Sequence, residues 1–175
     1  MTRSAIKALP PYDGATLERA ALDYAARYAT TRSKLAAYLR RKLRERGWEG
    51  ADAPPIDALV ARFVDRGYVD DRAFAAAKAD ALLRRGYGAR RIGTALRAAG
   101  IDAETSDGLR DRIADEAEAA AIRFARRRRI GPFADHRPDP AERCRWIAAM
   151  ARAGHPAELV HRLLGGDADE LMVDV

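Results

Sequence analysis

The chain has 175 residues, of which 32 basic and 26 acidic side chains leave a formal charge of +6. A chain of this length buries about 70% of its unfolded surface and folds without staples, and its single cysteine, Cys144, excludes an internal disulfide. Residues 1–12, MTRSAIKALPPY, lack the apolar core of a signal peptide, and no apolar run approaches the ~20 residues that cross a bilayer, so a cytoplasmic protein is expected.

Strand alternation is missing, β-branched residues are scarce, and Ala, Leu, Arg and Glu dominate from about residue 15 to 165, which predicts an all-α chain. After a flexible segment 1–14, Thr16 and Ser33 are placed as N-caps, and LRRKLRER stops at Gly47. Asp52, with Pro54 and Pro55, restarts a helix that runs to Gly67. Asp70 caps DRAFAAAKADALLRR, which ends at Gly86, and the next helix runs from near Gly88 to Gly100. The stretch Ala103–Arg129 predicts two helices joined near Gly108 and Ile113. IGPFADHRPDP is a loop, two more helices end near Gly154 and Gly165, and an acidic tail, 167–175, closes the chain.

One skeleton recurs. Leu39, Leu43 and Gly47 are spaced four and four, as are Ile92, Leu96 and Gly100, and again Trp146, Met150 and Gly154. The three glycines lie 53 and 54 residues apart, which suggests one supersecondary unit used three times. The expected fold is three tandem three-helix repeats, 15–68, 69–113 and 114–166, nine helices forming an elongated, curved array. Amphipathic spacing assigns the core to Leu39, Leu43, Leu59, Val60 and Phe63, then to Phe74, Leu82, Ile92, Leu96 and Leu109. The third unit contributes Ile122, Phe124, Trp146, Ile147, Leu159 and Leu163.

No residue pattern organises a reaction. His136, His155 and His161 lack zinc-site spacing, Cys144 is expected to pack as a small hydrophobe, and the serines have no nucleophile-elbow context. Gly86-Tyr87-Gly88 is followed by Ala89 and Arg90, not by the Lys-Ser/Thr of a nucleotide loop. Asp70 and Asp71 read as helix caps rather than catalytic acids. The chain is expected to be a binder, not an enzyme, with no cofactor or metal.

The run LRRKLRERGW and the segment IDALVARFVDRGYVDDRAFAAAKADALLRRGYGARRIGTALRAAGID resemble the RecX regulatory proteins. The residues that carry the likeness are Gly47-Trp48, Gly67-Tyr68-Val69-Asp70-Asp71, Phe74, Gly86-Tyr87-Gly88 and Gly100-Ile101. The likeness is densest over residues 33–102, and in the third unit RRRRIGPFADHRPDP replaces a shorter linker. It implies a regulator that binds the RecA-type recombinase filament on single-stranded DNA, and the chain is expected to be a monomer. It further implies inhibition of ATP hydrolysis, strand exchange and co-protease activity, and so of recombination and the SOS response.

Charge alone nominates the contact residues. Residues 32–48 hold seven bases against one acid, 84–97 hold five bases and no acid, and 123–129 hold five more. The candidates are Arg40, Arg41, Lys42 and Arg44, then Arg84, Arg85, Arg90, Arg91 and Arg97, then Arg126, Arg127, Arg128 and Arg129. Each of these has solvation of a helix face as its alternative. Four consecutive helical residues spread around the circumference, so only one or two of the last cluster can face one partner. Tyr87 and Trp48 are either base-stacking rings or core. A non-specific DNA-binding helical protein or a helix-turn-helix-like regulator, acting without the recombinase on single- or double-stranded DNA, is the competing function. The chain has no Asn and no Gln, which removes the bidentate adenine contacts a sequence-specific regulator would use.

Overall fold

The computed structural model describes residues 9–165. Ten α-helices span them: α1 Gly14–Arg27, α2 Arg32–Arg46, α3 Ile56–Asp65, α4 Asp71–Arg84, α5 Ala89–Ala98, α6 Ala103–Asp107, α7 Arg110–Asp115, α8 Ala117–Arg128, α9 Pro140–Ala153 and α10 Ala157–Gly165. A 3-10 turn, Gly131–Phe133, lies between α8 and α9, and no strand occurs among the described residues. The acidic tail lies outside the described residues. The fold is all-α. It divides into two compact units, residues 1–74 and 75–175, with the boundary inside α4.

Residues 103–129 carry three helices where two were expected. Gly108 closes α6 by donating its N–H to the Glu104 carbonyl, and the helical path breaks again at Glu116, which ends α7 and starts α8. The N-caps also differ from expectation. Asp13, not Thr16, starts α1: its carboxylate accepts from the Thr16 N–H at 2.8 Å, while the Thr16 hydroxyl accepts from the Asp13 N–H at 3.0 Å. Thr16 is thus the third helical residue of a capping box, and the bonds it donates hold the Asp13 carboxyl below its usual range. Thr31, not Ser33, caps α2 by accepting from the Lys34 N–H at 3.2 Å.

In the first unit, Leu17, Ala21, Leu35, Leu39, Leu59, Val60, Phe63 and Val69 form one core. Residues 9–14, part of the segment expected to be flexible, are instead tied down. Tyr12 is buried, donates its N–H to the Gly47 carbonyl at 3.0 Å and accepts from the Glu49 N–H at 2.9 Å. Residues 1–8 lie outside the described residues.

Two adjacent carboxylates start two different helices in this unit. Asp70 accepts from the Ala73 N–H at 2.9 Å at the start of α4, and Asp71 accepts from the Arg32 N–H at 2.9 Å at the start of α2. Each satisfies an orphan donor and places negative charge at a positive helix end. Asp70→Ala and Asp71→Ala are each expected to cost about 1 kcal/mol in urea denaturation, and a cost near zero for Asp71→Ala would deny the cross-helix cap.

In the second unit, Ala121, Phe124, Ala125, Ile130, Met150, Ala153, Leu159, Val160 and Leu163 pack together, and Ile92 and Leu96 of α5 are fully buried. Of the core expected from the sequence, Leu43, Phe74, Leu109, Ile122, Trp146 and Ile147 are half-buried and the rest are buried. Gly47, Gly100 and Gly154, the repeated glycines, all have positive φ, at 83°, 73° and 97°.

The Gly86-Tyr87-Gly88 turn is a packing joint. Gly88 donates its N–H to the Ala153 carbonyl at 2.9 Å, and Arg90 donates to the Gly154 carbonyl at 3.2 Å. A Cβ on Gly88 would lie 2.5 Å from the Gly154 carbonyl oxygen, one on Gly86 2.7 Å from the Phe124 nitrogen, and one on Gly154 would collide with the Arg91 amide. The two glycines bracket Tyr87 so that backbone meets backbone.

Candidate interaction surfaces

Three of the basic residues of α2 meet carboxylates of the first unit. Arg40 pairs with Asp57 at 3.3 Å, Arg41 with Glu45 at 3.7 Å and Lys42 with Glu45 at 2.9 Å. The hydrogen bond between the last pair raises the Lys42 pKa and lowers that of Glu45. Arg44 is exposed and has no ion pair among the described residues. Trp48 is half-buried, and its indole N–H donates to the Asp52 carbonyl at 2.7 Å, so the ring is fixed beside its own loop. A cleft of about 470 Å³ between α2 and α3 is lined by Arg32 and Arg40 but also by Asp57 and Asp65, and so favours neither sign of charge.

In the second unit the arginines separate. Arg84 is exposed, and the Arg97 guanidinium donates to the Thr94 hydroxyl at 3.2 Å. The Arg90 side chain donates to the Ala151 carbonyl at 3.3 Å. Arg85 and Arg91 each place a guanidinium 5.6 Å from the centre of the half-buried Tyr87 ring. The run 126–129 disperses as helical geometry requires. Arg126 lies over Phe133, Arg127 donates to the Arg85 carbonyl at 2.6 Å, Arg128 lies over Phe124, and Arg129 pairs with Asp135 at 3.4 Å.

Two of these candidates meet in one place. Arg91 and Arg128 line a groove of about 390 Å³ together with Arg145 and Arg152, Tyr87 and Trp146, over the buried Phe124. No carboxylate lines it, and its four arginines, all exposed, have no ion pair among the described residues. Arg145 and Arg152 were not singled out from the sequence because neither belongs to a run of bases. The available signal was their spacing: 145, 149 and 152 fall on one stripe of α9.

The remaining titratable groups behave as follows. His136 is exposed, sits 2.8 Å from Glu142 and has its pKa raised by that carboxylate. His155 is buried, 3.0 Å from the Gly86 carbonyl through Nε2, and burial pushes its pKa down. Cys144, expected to pack inside, is exposed, because α9 turns Met150 and Ala153 inward and position 144 falls outside that stripe. No group of three His, Cys, Asp or Glu side chains is placed to hold a metal among the described residues. No helix there is long and apolar enough to cross a membrane.

A family model described as the second three-helix domain of RecX matches residues 70–107, the segment from the Asp70 cap through α4, α5 and α6. The regulatory protein RecX of Myxococcus xanthus is 39% identical over 150 residues, covering 79% of this chain and 78% of that protein. The chain belongs to the RecX family of regulatory proteins. RecX of Pseudomonas savastanoi pv. phaseolicola is 32% identical over 154 residues, 86% of this chain and 90% of its own length. The crystal structure of RecX from Lactobacillus salivarius is 17% identical, with a TM-score of 0.66 over 87% of this chain and 94% of that one. That likeness carries the fold: RecX structures are all-α helical repeats.

Proposed function

We propose that this chain binds a RecA-type recombinase filament on single-stranded DNA and inhibits its ATPase, strand-exchange and co-protease activities in the cytoplasm. It acts as a monomer and as a binder rather than an enzyme. Membership of a family of regulatory proteins, matched over most of the relatives' length, is the observation that carries this reading. A division into three repeats, placed at 15–68, 69–113 and 114–166 with the last boundary inside α7, is part of this proposal, because recurring modules can meet recurring protomers. Guanidinium forks serve both acidic protein surfaces and phosphates.

The test is single-strand-dependent ATP hydrolysis by the cognate recombinase with this protein titrated in. Inhibition is expected at concentrations too low to coat the DNA. Unchanged hydrolysis, with salt-sensitive binding to naked DNA, would replace this reading by that of a DNA-binding protein acting alone. The acid-free arginine groove is the observation that keeps that second reading in view.

A further inference from the structure

We propose that the groove built by α5, α8 and α9 is a binding site for single-stranded nucleic acid, with Arg91, Arg128, Arg145 and Arg152 holding phosphates and Tyr87 and Trp146 taking the face of a base. Four guanidinium groups surround one cleft with no carboxylate in its lining, an arrangement whose self-repulsion is relieved by a polyanion. The cleft between α2 and α3, by contrast, sets Asp57 and Asp65 beside its two arginines, whereas four arginines converge here with none.

The floor and walls decide which polyanion. Phe124 is buried beneath the groove while Tyr87 and Trp146 are half-exposed in it. An acidic peptide satisfies the arginines and offers nothing to the half-exposed Trp146 ring, whereas every nucleobase has a face to stack on it and can add to the guanidinium contacts already on Tyr87. A cleft of about 390 Å³ is of the size that encloses a small ligand. Only an unpaired base can turn its face to a side-chain ring, so the proposed occupant is a single strand rather than a duplex. Without Asn or Gln in the chain, readout of individual bases is poor, and the site is expected to tolerate any sequence.

The site is separable from the filament reading, because it is tested on naked strand with no recombinase present, and its failure leaves that reading standing. The full-length chain is titrated into a labelled oligothymidylate across a salt series, with anisotropy as the readout. Arg145→Glu combined with Arg152→Glu, both on exposed positions, is expected to weaken binding at least about tenfold and to flatten the slope of log K against log salt by about 1.4, two contacts at about 0.7 each. Arg44→Glu combined with Arg84→Glu makes the same change of net charge outside the groove and is expected to weaken binding by less than about threefold. Equal losses in the two double variants would overturn the proposal in favour of diffuse charge. An abasic strand of the same length is expected to bind the unaltered protein about 5- to 150-fold more weakly. Equal binding of the abasic strand, or equal competition by polyglutamate of matched charge, overturns the proposal and makes the groove an acidic-protein site.

Discussion

Gly154→Ala is expected to destabilise the chain by about 2–5 kcal/mol, lowering the melting temperature by about 10 °C. Two independent costs combine at this position. Its φ of +97° is strained for any residue with a Cβ, and that Cβ would collide with the Arg91 amide, a backbone atom that cannot swing aside as a side-chain tip does. Gly67 supplies the control. It has a comparable φ of +73° but open space around the added carbon, so Gly67→Ala is expected to cost only about 1 kcal/mol. Thermal melts of the two variants therefore separate conformational strain from steric collision. Equal losses would mean that the close approach of Gly88, Arg91 and Gly154 contributes nothing to stability.

Below about pH 6.5 the protein is expected to lose stability through His155, and His155→Phe is expected to remove that dependence. The buried ring lies 3.0 Å from the Gly86 carbonyl through Nε2 and 5.8 Å, centre to centre, from Phe124, while Nδ1 has no partner. Donation to a carbonyl assigns the proton to Nε2, leaving Nδ1 as a bare buried acceptor. Protonating it would place a charge in the core, so burial lowers the pKa, with the bond to Gly86 opposing. The unfolded imidazole takes up a proton near pH 6.5 while the folded one resists. The unfolded state then binds more protons, and stability falls with falling pH. His136 works in the opposite sense: Glu142 raises its pKa, so its contribution is present in acid and fades as pH rises through the raised value. Urea denaturation from about pH 5 to pH 8 of the wild type and His155→Phe isolates the buried ring. At neutral pH the substitution is also expected to cost about 1–3 kcal/mol, because the Gly86 carbonyl loses its donor. Parallel pH profiles in the two proteins would place the titration elsewhere.

The helical class, the helix-ending glycines and the Asp70 cap were legible because each rests on local chemistry. Periodicity, a positive φ and a carboxylate three residues from its donor all act over one turn. The N-caps of α1 and α2 slipped because two hydroxyls or carboxylates lie within three residues of each other, and only the geometry selects Asp13 over Thr16 and Thr31 over Ser33. Clustering in the sequence was a poor guide to clustering in space. Arg126 to Arg129 are neighbours along the chain but divide among Phe133, the Phe124 ring that Arg127 and Arg128 share, and Asp135, whereas Arg91, Arg128, Arg145 and Arg152 come from three helices to one groove. The second role of Asp71 was equally out of reach, since its donor lies 39 residues away. A non-local pairing leaves no periodic trace.

The approach of Gly88 to Gly154 is made by main-chain atoms, with the His155 imidazole bonding the Gly86 carbonyl beside it, and the guanidinium groups of Arg145 and Arg152 take no part in holding it. Frame and charge are therefore separable. Resurfacing positions 145 and 152 changes what this face attracts without moving the walls that present it. The unit is in that sense a chassis, on which a lineage or an engineer can retune the affinity for a partner by exchanging exposed side chains while the positions of the helices stay as they are.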